Sequence, residues 1–317
     1  MKAIILSQAG GPEQLELAEL EIPQPDFNEV LVKVNAFSIN PVDVKTRSGK
    51  ALYGQLKDEE PLILGWDISG EAVSVGKEVA GIEVGDQVFG MVNFPGHGKA
   101  YSEYVVVPYH HLAKKPANIT HEEAAASTLA ALTAWQVLTD QLQVKAGERV
   151  LIHAGAGGVG HYAIQLAKHF GAYAITTASA ANASFVRELG ADEHIDYTRT
   201  RFEEVLTGLE VVFDTVGGDI SMRSLKVLKD GGRVLAIAGG ITEDVKGLAE
   251  ERNIQALTYL VHSDGNDMQS LAELLESGVV KAHVSRVFSH SDIAEAHRQI
   301  ESGKTRGKLV VKFDEAE

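Results

Sequence analysis

A glycine-rich loop between an apolar run and a helical run constrains the fold of this chain most strongly. Residues 149–168 read Arg-Val-Leu-Ile-His-Ala-Gly-Ala-Gly-Gly-Val-Gly-His-Tyr-Ala-Ile-Gln-Leu-Ala-Lys and contain the pattern Gly-X-Gly-X-X-Gly. Between a strand and a helix, such glycines permit a tight turn and let backbone N–H groups approach a pyrophosphate. We therefore predict a dinucleotide-binding loop at Gly155, Gly157, Gly158, Val159 and Gly160. A glycine-rich turn without a nucleotide is the competing interpretation.

The hydrophobic pattern changes at about Thr120. Before it, short β-branched runs are separated by Gly, Asp and Pro, which predicts a β-rich domain. Thr120 and Glu123 have the spacing of a capping box before an Ala-rich helix over 122–132. Beyond it we predict strands at 149–154, 173–177, 211–215 and 233–237, with helices at 158–169, 181–189 and 222–228. This alternation is typical of a parallel sheet with helices on both faces, so the fold class is α/β.

The charge balance limits the partners of the chain. Its 317 residues include 29 Lys and Arg against 44 Asp and Glu, a net charge of −15. Because such a surface repels phosphate backbones and anionic lipids, we expect neither a nucleic-acid nor a membrane partner. No apolar run reaches 18 residues, and the amino-terminal segment is typical of a first strand rather than a signal peptide. We expect a cytoplasmic protein.

The end of the second predicted strand indicates which dinucleotide binds. NAD sites usually place an Asp or Glu there for the ribose 2′-hydroxyl. Here residues 176–182 read Thr-Thr-Ala-Ser-Ala-Ala-Asn, and no acid occurs between Glu148 and Glu188. We therefore expect NADP(H) rather than NAD(H), with Ser179 and Asn182 as hydrogen-bond donors. A cation for the 2′-phosphate is missing from this segment, and the nearest in sequence is Arg187.

Several further segments carry a family resemblance. Residues 38–45 read Ser-Ile-Asn-Pro-Val-Asp-Val-Lys, 61–70 read Pro-Leu-Ile-Leu-Gly-Trp-Asp-Ile-Ser-Gly, and 101–108 read Tyr-Ser-Glu-Tyr-Val-Val-Val-Pro. With the glycine loop, Asp214-Thr-Val-Gly-Gly and Gly307-Lys308, they resemble the medium-chain dehydrogenase/reductase superfamily, in its zinc-free quinone oxidoreductase branch. The resemblance implies a GroES-like catalytic domain at 1–117 and 263–317, and an inserted Rossmann domain, a doubly wound parallel sheet, at 118–262. It also implies a homodimer.

The zinc ligands of the superfamily are replaced in this chain. Zinc-dependent members use a Cys in the segment matching 40–43 and a His in Gly-His-Glu, where this chain has Gly65-Trp66-Asp67 and contains no Cys at all. Since Trp cannot ligate zinc, we expect no catalytic metal. The 12 histidines also lack the His-Glu-X-X-His spacing, so we expect no other metal site.

Four residues are candidates for catalysis. Asn40 resembles the family residue beside the nicotinamide and its ribose. Asp43 and Lys45 lie two apart, so they share a face on an extended segment but not on a helix. A salt bridge without chemistry is the alternative for that pair. Tyr53 lies in a predicted loop and is a candidate proton donor, with packing as the alternative.

The remaining predicted site residues concern the cofactor. Thr133 resembles a helix residue that contacts the nicotinamide, Tyr197 an aromatic residue near the adenosine phosphate, and Lys308 a residue of the catalytic cleft. Ala238 and Gly239 end a strand at the carboxyl edge of the sheet, where ligands bind. Thr215 belongs to the Asp214-Thr-Val-Gly-Gly motif and is expected at the same edge.

These features predict an NADPH-dependent, zinc-independent reductase of quinones or α,β-unsaturated carbonyl compounds. Both substrates accept a hydride without a Lewis acid, because the charge delocalises over the quinone ring or the enolate. One alternative is reduction of enoyl thioesters, although the chain lacks a basic cluster for coenzyme A phosphates. Another is an NADPH-binding sensor or structural protein without catalysis.

Overall fold

The computed structural model describes residues 1–313 and contains two large sheets of different character. The predicted catalytic range therefore extends four residues, 314–317, beyond the described part. The strands are β1 (Lys2–Leu6), β2 (Leu15–Glu19), β3 (Glu29–Ile39), β4 (Asp67–Val75), β5 (Gln87–Met91), β6 (Tyr104–Pro108), β7 (Leu112–Lys114), β8 (Arg149–Ile152), β9 (Tyr173–Ala178), β10 (Glu193–Asp196), β11 (Leu209–Asp214), β12 (Leu228–Ala236), β13 (Gln255–Thr258), β14 (Val284–Ser289) and β15 (Lys308–Lys312).

The α-helices are short and fall between these strands. They are α1 (Pro41–Arg47), α2 (Tyr53–Leu56), α3 (His121–Ala126), α4 (Leu129–Gln136), α5 (Gly160–His169), α6 (Ala183–Glu188), α7 (Phe202–Val205), α8 (Ile220–Ser224), α9 (Glu243–Glu250), α10 (Gly265–Glu276) and α11 (Ile293–Glu301). A π-helical segment, Val137–Gln141, follows α4. No helix within residues 1–313 is long and apolar enough to cross a bilayer.

One compact unit, Thr133–Leu260, is a parallel α/β domain. Its six strands have the order β10-β9-β8-β11-β12-β13, and every neighbouring pair is parallel. The central strand β8 is buried on both faces, with Val150, Leu151 and Ile152 fully covered. This is the strand order of a doubly wound sheet, in which ligands bind at the carboxyl ends near the central strand. The predicted Rossmann domain is confirmed.

Two details of this domain differ from the sequence prediction. Strands β10 and β13 at the sheet edges were not predicted, because neither has the continuous buried apolar run of the equally short β8. The helix predicted over 222–228 is present but lies earlier in the chain: α8 spans Ile220–Ser224, and Leu228 already pairs with Leu209 of β11. The register of that pair shifts between Leu209 and Val211, and this irregularity obscures the strand pattern.

The other compact unit combines residues 1–132 with the chain from Val261 onward. Its larger sheet has the order β14-β15-β3-β4-β5-β7, and β6 pairs separately with β3. The long strand β3 is central, since β4, β6 and the late strand β15 all pair with it. The predicted β-rich, GroES-like fold is confirmed. The exact domain limits at 117/118 and 262/263 stay a prediction.

The capping box is confirmed and explains where α3 begins. The Thr120 hydroxyl accepts the Glu123 N–H at 3.2 Å, while the Glu123 carboxylate accepts the Thr120 N–H at 2.8 Å. The single helix predicted over 122–132 is instead divided into α3 and α4 at Ser127, which caps the end of α3. Helix α3 packs against β3 and β4.

Three strand ends converge in the β-rich unit. Ser38 near the end of β3 pairs with Asp67, the first residue of β4, and Ile39 pairs with Leu309 of β15. Lys308, the first residue of β15, is therefore beside the carboxyl end of β3. The polar residues at these three ends form the cluster described next.

Candidate active site

The dinucleotide loop is built so that only glycine fits at two of its positions. A Cβ at Gly155 would lie 2.0 Å from the Thr176 hydroxyl oxygen, and one at Gly160 would lie 2.3 Å from the Ala154 carbonyl oxygen. A Cβ at Gly157 would also approach Ala154, at 3.2 Å. Val159 precedes the ten-residue helix α5, which begins at Gly160. The loop thus presents its backbone at a helix amino terminus, as a pyrophosphate site requires.

The carboxyl edge of the parallel sheet holds other predicted cofactor residues. The Thr215 hydroxyl follows β11 and donates to the His153 carbonyl oxygen at 2.7 Å. The loop after β12 is close to it, because a Cβ at Gly217 would lie 2.2 Å from the Ala238 carbonyl oxygen. Gly239 follows with a φ of +73°. Thr215, Ala238 and Gly239 therefore belong to adjacent loops at this edge.

The residues predicted to bind the adenosine end of the dinucleotide lie beside β9. Ser179 begins a 3-10 turn directly after β9, and the Asn182 amide donates to the Ser179 hydroxyl at 3.3 Å. Tyr197 follows β10 and is 62% exposed, so it is not a core residue. Thr133, in α4, is buried.

A buried polar cluster occupies the strand ends of the β-rich unit. Its centre is Asp67, whose Oδ2 accepts from Ser38 Oγ at 2.5 Å and from Asn40 Nδ2 at 2.7 Å. The Lys308 ammonium donates to Asn40 Oδ1 and to the Ile39 carbonyl, and lies 3.5 Å from Asp67 Oδ2. Asn40 thus has its amide oxygen on a cation and its amide nitrogen on an anion, which determines its orientation.

Asp43 joins this cluster through the start of α1. Its Oδ2 accepts from the Asn40 N–H at 2.9 Å and from the Tyr101 hydroxyl at 2.8 Å. Burial, opposed by the Asn40 hydrogen bond, raises the pKa of Asp43 to about 7. Asp43 Oδ1 is buried without a hydrogen-bond partner among the described residues. A carboxyl group in this state is half protonated near neutral pH.

Hydrogen bonds connect Asp43 through Tyr101 to His297 and Arg47, and the donor and acceptor of each bond can be assigned. Arg47, always a donor, contacts His297 Nδ1 at 3.2 Å, so His297 carries its hydrogen on Nε2. That nitrogen lies 3.1 Å from the Tyr101 hydroxyl, which in turn donates to Asp43. Burial lowers the pKa of His297 to about 3, so the ring is neutral. The chain holds Tyr101 as a donor toward Asp43.

The other two predicted catalytic residues lie apart from the cluster. Residues 41–47 form a helix, so Asp43 is buried while Lys45, two residues later, is exposed. Tyr53 begins α2 and is half-buried. Of the four candidates, the structure brings Asn40 and Asp43 together with Lys308.

Sequence reasoning missed Asp67, Tyr101, Ser38 and His297 as members of the cluster. Asp67 and Tyr101 lie within the segments that carry the family resemblance, but nothing local marks them as partners of Asn40 and Asp43. The contacts span 27 residues for Asn40 and Asp67, and 196 for Tyr101 and His297. The signal available was a single acid, Asp67, directly after the apolar run at 62–66.

The residues present do not fit the zinc ion of the zinc-dependent members. Trp66 is fully buried, and its Nε1 donates to the Gly96 carbonyl at 2.7 Å. The nearest carboxylate, Asp67, already has the Lys308 ammonium beside it, which would repel a second cation. Across residues 1–313, no three His, Cys, Asp or Glu side chains group so that they could hold a metal.

Two family models match separate parts of the chain. The alcohol dehydrogenase GroES-like domain matches residues 26–117, and the family described as zinc-binding dehydrogenase matches residues 189–311. Among curated relatives, the NADPH-dependent alkenal/one oxidoreductase, chloroplastic, of Arabidopsis thaliana is 36% identical over 98% of this chain and 79% of its own length.

Two solved structures are similar over nearly the whole chain. The quinone oxidoreductase from Coxiella burnetii has a TM-score of 0.93 and 38% identity, covering 99% of each chain. The Escherichia coli quinone oxidoreductase complexed with NADPH has a TM-score of 0.88 and 31% identity, over 98% of this chain and all of that one. Its cofactor is a dinucleotide of the kind expected from the loop at 155–160.

Proposed function

Because the chain belongs to the medium-chain dehydrogenase/reductase superfamily, among its quinone and alkenal oxidoreductases, we propose that it is an NADPH-dependent, zinc-independent reductase. The substrates are quinones or α,β-unsaturated carbonyl compounds. The observation that carries the proposal is the similarity, over nearly the whole of this chain, to an alkenal/one oxidoreductase and to quinone oxidoreductases. The glycine loop at the switch point of the parallel sheet supports the cofactor.

The cofactor is held by backbone and by short polar side chains. Gly158, Val159 and Gly160 offer the pyrophosphate backbone N–H groups at the start of α5. Gly155 and Gly157 shape the turn, because their own N–H groups donate to the Thr177 and Ala154 carbonyls at 3.0 and 2.9 Å. Ser179, Asn182 and Tyr197 bind the adenosine end, while Thr133, Thr215, Ala238 and Gly239 bind the nicotinamide end. When bound, NADPH supplies the hydride.

The polar cluster of the β-rich unit orients the reacting groups. Asn40 uses one amide hydrogen on Asp67, which leaves the second for a ligand. Its amide oxygen accepts from Lys308, so the amide cannot flip without losing both bonds. A fixed donor of this kind stabilises negative charge that develops on a substrate oxygen. It also orients the reactants, and orientation alone lowers barriers by up to about 7–11 kcal/mol in ideal cases.

Protonation differs between the two substrate classes. A hydroquinone anion takes its proton from water, whereas an enolate needs a proton at the α-carbon. Asp43, with a pKa of about 7, is able to hold a proton near neutral pH, and Tyr53 has a phenolic hydroxyl. These two residues are the proposed donors for the enone reaction.

The donor set supports the proposed zinc-independence. The chain has no Cys, Trp66 replaces the superfamily histidine, and the Lys308 ammonium supplies the positive charge beside Asp67 and Asn40. Polarisation by a metal is replaced by this fixed cation and by hydrogen bonds.

The proposal is tested by following NADPH absorbance with a panel of quinones, 2-alkenals, enones and enoyl thioesters. We expect oxidation of NADPH with quinones or enones, unchanged after dialysis against a chelator. Turnover only with enoyl thioesters, or loss of turnover in the chelator, would contradict it. Tight NADPH binding with no turnover on any substrate would instead show a non-catalytic binding protein.

The proposed active form is a homodimer, as the family resemblance implies, and the proposed compartment is the cytoplasm. Light scattering of the purified chain should give twice its mass of 34.0 kDa. A mass of one chain at micromolar concentration would contradict the dimer. Fractionation of expressing cells tests the compartment, because one similar relative is named as chloroplastic.

A further inference from the structure

We infer that His153 is a positioning residue of the dinucleotide site, because its imidazole joins the glycine loop to β9 and α8. This inference rests on the proposed NADPH binding and adds a residue that acts through the loop. His153 follows β8 directly, precedes the loop and is buried.

Both ring nitrogens of His153 have hydroxyl partners. Nδ1 lies 3.1 Å from Thr177 Oγ1 in β9, and Nε2 lies 3.2 Å from Ser224 Oγ at the end of α8. The ring packs edge-on against Phe202, with centroids 4.6 Å apart. The imidazole therefore bridges a strand and a helix on either side of β8.

The surrounding bonds determine the direction of each hydrogen bond. Ser224 donates its hydroxyl proton to the Ile220 carbonyl at 2.7 Å, so toward His153 it only accepts. His153 consequently carries its hydrogen on Nε2, and the unprotonated Nδ1 accepts from the Thr177 hydroxyl. Burial, assisted by Arg223, lowers the pKa of His153 to about 4 against the opposing effect of Asp214. The neutral form is thus the one present at neutral pH.

The orientation of Thr177 decides what the loop can bond to. Once its proton points at His153, its oxygen accepts the Ala154 N–H at 3.1 Å. Ala154 is the first loop residue and has a φ of +51°, a conformation that an alanine adopts only under constraint. Gly160, at the start of α5, packs directly under the Ala154 carbonyl. The series of hydrogen bonds from Ser224 through His153 and Thr177 therefore ends at Ala154, which contacts both ends of the glycine loop.

The test compares NADPH dissociation constants, from fluorescence titration, with melting temperatures. We expect His153→Leu and Thr177→Val each to weaken NADPH binding about tenfold, the usual effect of losing a buried hydrogen bond or two. His153→Gln should bind within about threefold of the native chain, because its amide keeps one acceptor and one donor. The double variant His153→Leu/Thr177→Val should bind NADPH no more weakly than the single variant with the lower affinity. Both substitutions interrupt the same series of hydrogen bonds, so their effects should not add.

The matched control is Arg233→Met, in the same sheet. Arg233 pairs with Glu148 at 2.6 Å beside the amino end of β8, at the edge opposite the loop. Arg233→Met should lower the melting temperature and leave the NADPH dissociation constant unchanged.

Native-like affinity in His153→Leu and Thr177→Val, with a melting temperature lowered as in the control, would overturn the inference and leave the proposed function intact. Independent, additive losses in the double variant would overturn it as well. If His153→Leu does not fold, Thr177→Val and His153→Gln decide the question. A native chain that binds no NADPH would overturn the proposed function, and this inference with it.

Discussion

At the scale of the residue, Asp43 is the most unusual group, a carboxyl that keeps its proton to about pH 7 inside the protein. The unfolded chain releases that proton near pH 3.8. Between these values the folded state holds the proton and the unfolded state does not, so Asp43 lowers stability as the pH rises. Asp43→Asn resembles the protonated form. We expect native stability relative to this variant to fall by about 1.4 kcal/mol per pH unit between pH 4 and 7, measured by urea unfolding.

Asp86 is the matched control, because its effect on stability should change with pH in the opposite direction. The Lys114 hydrogen bond lowers the pKa of Asp86, so Asp86→Asn should cost stability at neutral pH and progressively less as the pH falls below 3.8. A stability difference between the native chain and Asp43→Asn that does not change with pH would show that Asp43 is ionised throughout.

At the scale of the element, the pairing of β9 with β10 supplies the cation that the second strand lacks. The two strands are parallel, and their last residues, Ala178 and Asp196, are register partners. Arg199, three residues past β10, is therefore at the same edge as Ser179. Its side chain is 82% exposed, and its Nε lies 3.8 Å from Asp196 Oδ2, which is a long distance for an ion pair. Arg199→Ala should weaken NADPH binding about tenfold, as expected for loss of an arginine–phosphate contact, and leave NADH binding unchanged in fluorescence titrations.

Arg187, nearest in sequence, is the natural comparison for Arg199. It lies in the last turn of α6, after the helix has run back from the carboxyl edge. Arg187→Ala should leave both affinities unchanged. Equal weakening of NADPH and NADH by Arg199→Ala would show that Arg199 does not read the 2′-phosphate.

At the scale of the whole molecule, local patterns predicted local structure well. The glycine loop and the Thr120 capping box depend on residues a few positions apart, and both are confirmed. The polar cluster depends on strand ends that only the folded sheet brings together, as with Lys308 and Asp67, 241 residues apart. Composition and spacing contain no signal for such a pair. The family resemblance did identify Asn40 and Lys308, but not the acid between them.

The late position of β15 has a consequence for synthesis of the protein. The parallel unit, Thr133–Leu260, is one continuous stretch of chain and can fold as soon as it leaves the ribosome. The β-rich unit cannot, because β15 pairs with β3 and carries the ammonium that lies beside Asp67. Until Lys308 is translated, a carboxylate destined for the interior has no cation to accompany it. The nascent β-rich unit therefore stays open at this corner until β15 has emerged and paired with β3.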